Sequence, residues 1–204
     1  MENTARIAVL VSGGGTNLQA LIDAQTQGII TSGRIEVVIS SKKDAYALER
    51  AKKAGIPSAV ASRKELGSLD AFEGRIREIL DEYKIDVIVL AGFMSILSEN
   101  FVKAYPKRII NVHPSLIPSF CGAGFYGLRV HEAALEYGVK VTGATVHFVN
   151  EIPDGGEIIM QKAVAIRDND TPESLQKRVM RLAEWKILPR AVEKVSADII
   201  KNKK

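Results

Sequence analysis

Four short runs dominated by Val, Ile and Leu govern what this chain can fold into: residues 7–11, 35–39, 87–90 and 109–112. Runs so apolar belong to strands buried on both faces, not to strands with one wet side. Between them lie stretches with helical spacing. Leu18, Leu21 and Ile22 mark one, and residues 45–54 another, stopped by Gly55 with Pro57 beyond. A short strand is expected at 58–60. A further helix is expected from Asp70, where Asp70 and Glu73 suggest a capping box and Phe72, Ile76, Leu80 and Tyr83 share a face. Alternation of this kind argues a Rossmann-like, doubly wound, mostly parallel α/β sheet with right-handed crossovers.

After Pro118 the pattern changes. Residues 120–128 carry Gly122, Gly124 and Gly127 among aromatics, a loop with freedom to move. A helix is expected from 129 to 137, ended by Gly138. Residues 141–149 and 158–166 read as an antiparallel extension of the sheet, joined by a long loop containing Asp154-Gly155-Gly156. Thr171-Pro172 starts a last helix carrying Leu175, Val179 and Leu182, which Pro189 should kink or divide.

At 204 residues, 46% hydrophobic and 25% charged, one domain over 1–204 is the default. The net charge of +4 lacks the basic, aromatic-interleaved surface of a nucleic-acid binder, but suits an anionic small substrate. No run is long enough to span a bilayer, and the residues before Ser12 are too short for a signal segment. Cys121 is the only cysteine, so an internal disulfide is excluded and a reducing, cytoplasmic setting is expected.

Ser12-Gly13-Gly14-Gly15-Thr16-Asn17 joins the first strand to the first helix. That geometry presents unpaired N–H groups to an anion. Neither Gly-Lys-Ser/Thr nor the third glycine of a dinucleotide fingerprint is present, Leu18 standing in its place. The second strand ends in Ser40-Ser41-Lys42-Lys43, without an acid for a cofactor ribose. A mononucleotide phosphate therefore fits better than a dinucleotide; the alternative is a tight turn whose glycines serve sterics alone.

The fourth of the apolar runs brings Asn111 and His113 to one face, and Pro114 and Pro118 stop it just beyond them. In an open α/β sheet that carboxyl edge is where ligands bind. The three histidines, His113, His131 and His147, and Cys121 show no paired ligand spacing, so no metal site is expected. No Gly-x-Ser-x-Gly elbow occurs. An amide, an imidazole and a carboxylate from Asp154 would form a set suited to direct attack on a carbonyl: Asn111 stabilises the oxyanion, His113 moves a proton, and Asp154 holds the imidazole. If they meet, Asp154 is expected to lift the His113 pKa above roughly 6.5. The alternatives are a solvated polar pair and an ordinary Asp-Gly-Gly turn.

Asn111-Val-His113-Pro-Ser115-Leu-Ile-Pro118, with Asp154-Gly-Gly downstream, resembles the formyltetrahydrofolate-dependent formyltransferase family. Residues 12–19 and Ala91-Gly-Phe-Met-Ser-Ile-Leu97 narrow the resemblance to the branch that formylates glycinamide ribonucleotide in purine synthesis, over residues 6 to beyond 184. The resemblance implies that Gly15, Thr16 and Asn17 hold the ribonucleotide phosphate and Glu184 its ribose. It implies that Met94, Ser95, Ile96 and Leu97, with Asn111, Asn150 and Glu151, line a site for 10-formyltetrahydrofolate. Asn111, His113 and Asp154 are then the catalytic set, with no metal and no covalent intermediate, in a monomer or a homodimer. The amino-terminal half would bind phosphate, and the carboxyl-terminal half would bind folate and catalyse.

Three departures stand out. Ser95 falls where many relatives carry arginine, and Leu69 where a basic residue often contacts folate, leaving Arg63 or Lys64 to substitute or the contact missing. Cys121 and Gly122-Ala-Gly124 replace a Pro/Lys-containing turn. A related hydrolase, with water in place of the amine, would be expected to add a domain before Arg6, and a methionyl-tRNA formyltransferase one after Lys204. A non-catalytic nucleotide-binding module would leave Asn111, His113 and Asp154 unexplained.

Overall fold

The structure, a computed structural model, describes residues 4–203. Its centre is a seven-stranded sheet of β1 (Ala5–Val11), β2 (Gly33–Ser40), β3 (Ser58–Val60), β4 (Val87–Leu90), β5 (Ile109–His113), β6 (Val141–Phe148) and β7 (Ile158–Ala165), in the order β3-β2-β1-β4-β5-β6-β7. The first five strands are parallel; β6 and β7 add antiparallel. The expected α/β sheet with its antiparallel extension is the architecture found.

The apolar runs are fully buried because their alternate residues feed two separate cores. Ile7, Val9 and Val11 of β1, Val87 and Val89 of β4, and Ile110 and Val112 of β5 face one core. That core is completed by α1 (Thr16–Thr26), α7 (Pro172–Val179) and α8 (Trp185–Asn202). Ala8, Leu10, Ile88, Leu90 and Ile109 face the other, beneath α4 (Leu69–Glu82) and α5 (Glu99–Ala104). Asn111 and His113 continue the Ile109 face, so two polar residues end a stripe that is otherwise core. The remaining helices are α2 (Tyr46–Lys53), α3 (Arg63–Leu66) and α6 (Leu128–Tyr137).

Three local expectations are corrected. No capping box forms at Asp70: Ser68 caps α4, accepting from the Ala71 N–H at 3.0 Å. Glu73 instead turns inward, where it accepts from Ser98 N–H (2.5 Å) and Ser98 Oγ–H (2.6 Å) and ties α4 to the start of α5. The last helix divides upstream of Pro189, at a π turn over Met180–Glu184. Pro189 lies inside α8, where its missing N–H forfeits only a bond to Trp185, the first residue of that helix. The wide turn also rotates the register, so Leu182 is exposed while Ala183 and Glu184 are buried. At the other end of this segment, Thr171 and Ser174 form a reciprocal capping box.

Candidate active site

The chain switches sides of the sheet between β1 and β4, and two polar clusters sit outside the carboxyl ends of the strands there. The first is the glycine loop after β1. Gly15 is the N-cap of α1 in the left-handed region (φ 70°), and a Cβ on it would lie 2.7 Å from Ala47 Cβ. Only glycine fits both constraints. Having no side chain, it leaves the first N–H groups of α1 uncapped. Arg50 braces the loop from α2, its Nε–H donating to Gly14 O at 2.8 Å.

Behind the loop, the buried Asn17 Nδ2–H donates to Glu184 Oε2 at 2.7 Å. The π turn is what points Glu184 inward, 167 positions along the chain from its partner. Burial pushes the Glu184 carboxyl up to about 7, against the opposing pull of the Asn17 donor. Asn17 Oδ1 is buried with no partner among the described residues.

The second cluster crosses from β5 to β6. Antiparallel register sets Asn111 opposite His147 and His113 opposite Thr145. Asp154 reaches back from the β6–β7 loop. Its Oδ2 lies 3.4 Å from His113 Nδ1 and its Oδ1 3.6 Å from His147 Nε2. The Gly122 N–H donates to Oδ2 at 2.9 Å. The Asp-Gly-Gly turn makes this reach possible. Asp154 itself adopts φ 56°, and a Cβ on Gly156 would fall 1.7 Å from Phe148 O. The sequence between Asn150 and Glu157 therefore folds tightly back onto the end of β6.

Hydrogen-bond partners assign the imidazole protons. His113 Nε2–H donates to Phe120 O at 2.8 Å, which leaves Nδ1 facing the carboxylate. His147 Nδ1–H donates to Phe148 O at 2.8 Å, which makes its Nε2 an acceptor for Asn111 Nδ2–H at 3.3 Å. The Asn111 amide is thus oriented with one N–H unspent. A neutral His113 set Nδ1-first against a carboxylate holds an added proton between the two groups.

The expected upward shift of His113 is not what the site produces. Burial is the largest influence and holds its pKa below the usual histidine value, although the Phe120 carbonyl and Asp154 both pull upward. Asp154 also feels burial most, in the raising direction. The pull of His147, the Gly122 N–H bond and the nearby His113 outweigh it, so the carboxyl stays below its ordinary value.

The loop after β4 splits its residues between core and cleft. Phe93 stacks on Phe72 (6.3 Å, 9°) and packs with Leu97 against the core. Met94 and Ile96 are exposed, at 54% and 78%. The Met94 N–H donates to Ser12 Oγ at 2.9 Å, which joins this loop to the glycine loop. Asn150 is half-buried and accepts from Ile152 N–H, Glu151 is exposed, and Leu69 packs against the core. The predicted residues thus gather on the carboxyl edge of the sheet. His147 is the member that sequence reasoning missed: Thr145-x-His147 carries the right alternation, but its partners depend on a register that the sequence does not print.

A formyl transferase family model matches residues 5–192. The chain belongs to the formyl transferase family. It is 43% identical over 188 residues to the phosphoribosylglycinamide formyltransferase of Haemophilus influenzae, covering 92% of this chain and 85% of that one. It is 46% identical over 199 residues to the human trifunctional purine biosynthetic protein adenosine-3, of which it spans only 19% of the length. Among solved structures, glycinamide ribonucleotide transformylase 1 of Symbiobacterium toebii superposes with a TM-score of 0.89 at 42% identity, covering 97% of this formyl transferase and 90% of that chain.

Proposed function

We infer that this formyl transferase moves a formyl group from 10-formyltetrahydrofolate to the amine of glycinamide ribonucleotide, a step of purine synthesis. The observation that carries the reading is the grip of one carboxylate, Asp154, on His113 and His147, beside an Asn111 amide oriented by that same His147. The names of the H. influenzae and S. toebii relatives support formyl transfer to glycinamide ribonucleotide.

In this reading the substrate amine attacks the formyl carbon to form a tetrahedral intermediate, which collapses with cleavage of the C–N bond to the folate nitrogen. The proton lost by the amine ends on the folate nitrogen. Asn111 Nδ2–H stabilises the developing oxyanion, His113 moves a proton, and Asp154 holds the imidazole while it carries that proton. The uncapped N–H groups following Gly15, at Thr16 and Asn17, take the ribonucleotide phosphate, with Glu184 beside the ribose. Met94, Ser95, Ile96, Asn150 and Glu151 line the folate side, and Leu97, expected there too, packs behind them against the core.

An absorbance assay of deformylation, with and without the ribonucleotide, tests this. Loss of formyl donor only when glycinamide ribonucleotide is present, with formylated ribonucleotide formed in equal amount, is the expected result. Donor loss without ribonucleotide would make water the acceptor and overturn the transferase reading.

A further inference from the structure

A crevice of about 390 Å³ runs between α1 and α8, with Thr16, Arg50, Trp185, Lys186 and Arg190 in its lining. Asp23 is the one carboxylate among its lining residues, and Gln19 Nε2–H donates to it at 2.8 Å. Lys186 and Arg190 stand one helical turn apart on α8, are exposed, and have no carboxylate partner among the described residues. Arg50 spends its Nε–H on Gly14 O at 2.8 Å and a terminal N–H on Gln19 Oε1 at 3.0 Å. Both acceptors are neutral, so its charge is not cancelled either. Three cations around one crevice, against a single acid, build a positive potential that an approaching anion relieves.

The crevice adjoins the uncapped start of α1. Thr16 belongs to both: it lines the crevice, and it is the first residue of the helix whose N–H groups Gly15 leaves uncapped. Arg50 joins them a second time, lining the crevice while bracing the glycine loop. Trp185 follows Glu184, whose carboxyl is tied to Asn17 and pushed up to about 7, so near neutral pH it offsets the three cations only in part. Backbone N–H groups act over hydrogen-bond range, whereas the crevice cations act over roughly a Debye length, about 10 Å at 0.1 M salt. The two features therefore suit successive stages of binding one anion.

We propose that the crevice is a capture site for the phosphorylated substrate: Arg50, Lys186 and Arg190 draw the ribonucleotide phosphate to the start of α1, where the N–H groups of Thr16 and Asn17 then take it. This rests on the formyl-transfer reading above, and it gives the three cations the selection of a phosphorylated over an unphosphorylated amine. Charges at the rim of a site alter capture and its salt dependence, not the chemistry that follows. Fields of this kind raise association by about tenfold or more at low salt, so removing two of the three charges is expected to cost roughly three- to tenfold in kcat/KM.

Steady-state kinetics of the whole chain at low and high salt test this. In the Lys186→Ala/Arg190→Ala variant, kcat/KM for glycinamide ribonucleotide should fall roughly three- to tenfold at low salt with kcat unchanged. The difference should close at high salt, and the charge-preserving Lys186→Arg/Arg190→Lys variant should match the wild type. An unchanged kcat/KM in the alanine variant, a loss that persists at high salt, or an equal loss in the charge-preserving variant overturns the proposal. Calorimetric titrations of the ribonucleotide and of the same riboside without its phosphate accompany the kinetics, and the alanine variant is expected to weaken the first alone. Absence of formyl transfer to the ribonucleotide sinks the underlying reading while its affinity in wild type and variant still judges the crevice; a wild type that binds no ribonucleotide overturns both.

Discussion

Asp154 is the residue on which the candidate site turns. It sits in the left-handed region, a conformation costing a non-glycine residue of order 1 kcal/mol, and its carboxylate is aimed at two imidazoles and one backbone N–H. Replacing it with Asn keeps a side chain that tolerates this conformation but removes the charge. His113 then loses an upward pull, so its pKa, already depressed by burial, should fall further, as ring titration by NMR will show. Turnover should drop by roughly 100-fold or more. An unchanged His113 titration would separate the two residues. Asn111→Ala should cost about 100- to 1,000-fold in kcat, with little change in ribonucleotide affinity measured by calorimetry. At this scale the sequence reveals Asn111 and His113 through a two-residue spacing before proline, and Asp154 through its turn motif. It conceals His147, because cross-strand pairing is a property of the fold.

At the scale of elements, all seven strands are legible from apolar runs and flanking turn residues. Helix ends signalled by Gly55, Gly138 and Thr171-Pro172 are legible too. The π turn is not, because its residues have ordinary helical character and only the packing of α7 and α8 on the sheet shows where the extra residue is absorbed. Nor is the state of His131 on α6. It is fully buried, neither ring nitrogen has a partner among the described residues, and burial, with His113 nearby, lowers its pKa to about 4. A folded-state pKa below the unfolded one means that the unfolded chain takes up the proton first as pH falls. The associated stability is present above about pH 6.5 and is lost progressively toward pH 4. Between pH 7 and 5 the wild type should therefore lose about 2 kcal/mol more than His131→Leu in denaturant titrations. Equal losses would mean that His131 is not the acid-sensitive group in α6.

For the whole molecule, the consequence of the strand order is convergence. β1 supplies the glycine loop, β5 and β6 supply Asn111, His113 and His147, and only β4 lies between β1 and β5. Two strand spacings put these clusters about 10 Å apart, a span suited to one small phosphorylated amine. Glu184 reaches the same region from the far end of the chain because the π turn directs it against Asn17. A crystal structure with glycinamide ribonucleotide and a non-transferring folate bound together tests this convergence most directly. The account predicts the phosphate on the N–H groups following Gly15 and the substrate amine beside Asn111 and His113. Phosphate bound instead in the basic crevice of about 390 Å³ between α1 and α8, where Arg50, Lys186 and Arg190 gather, would contradict it.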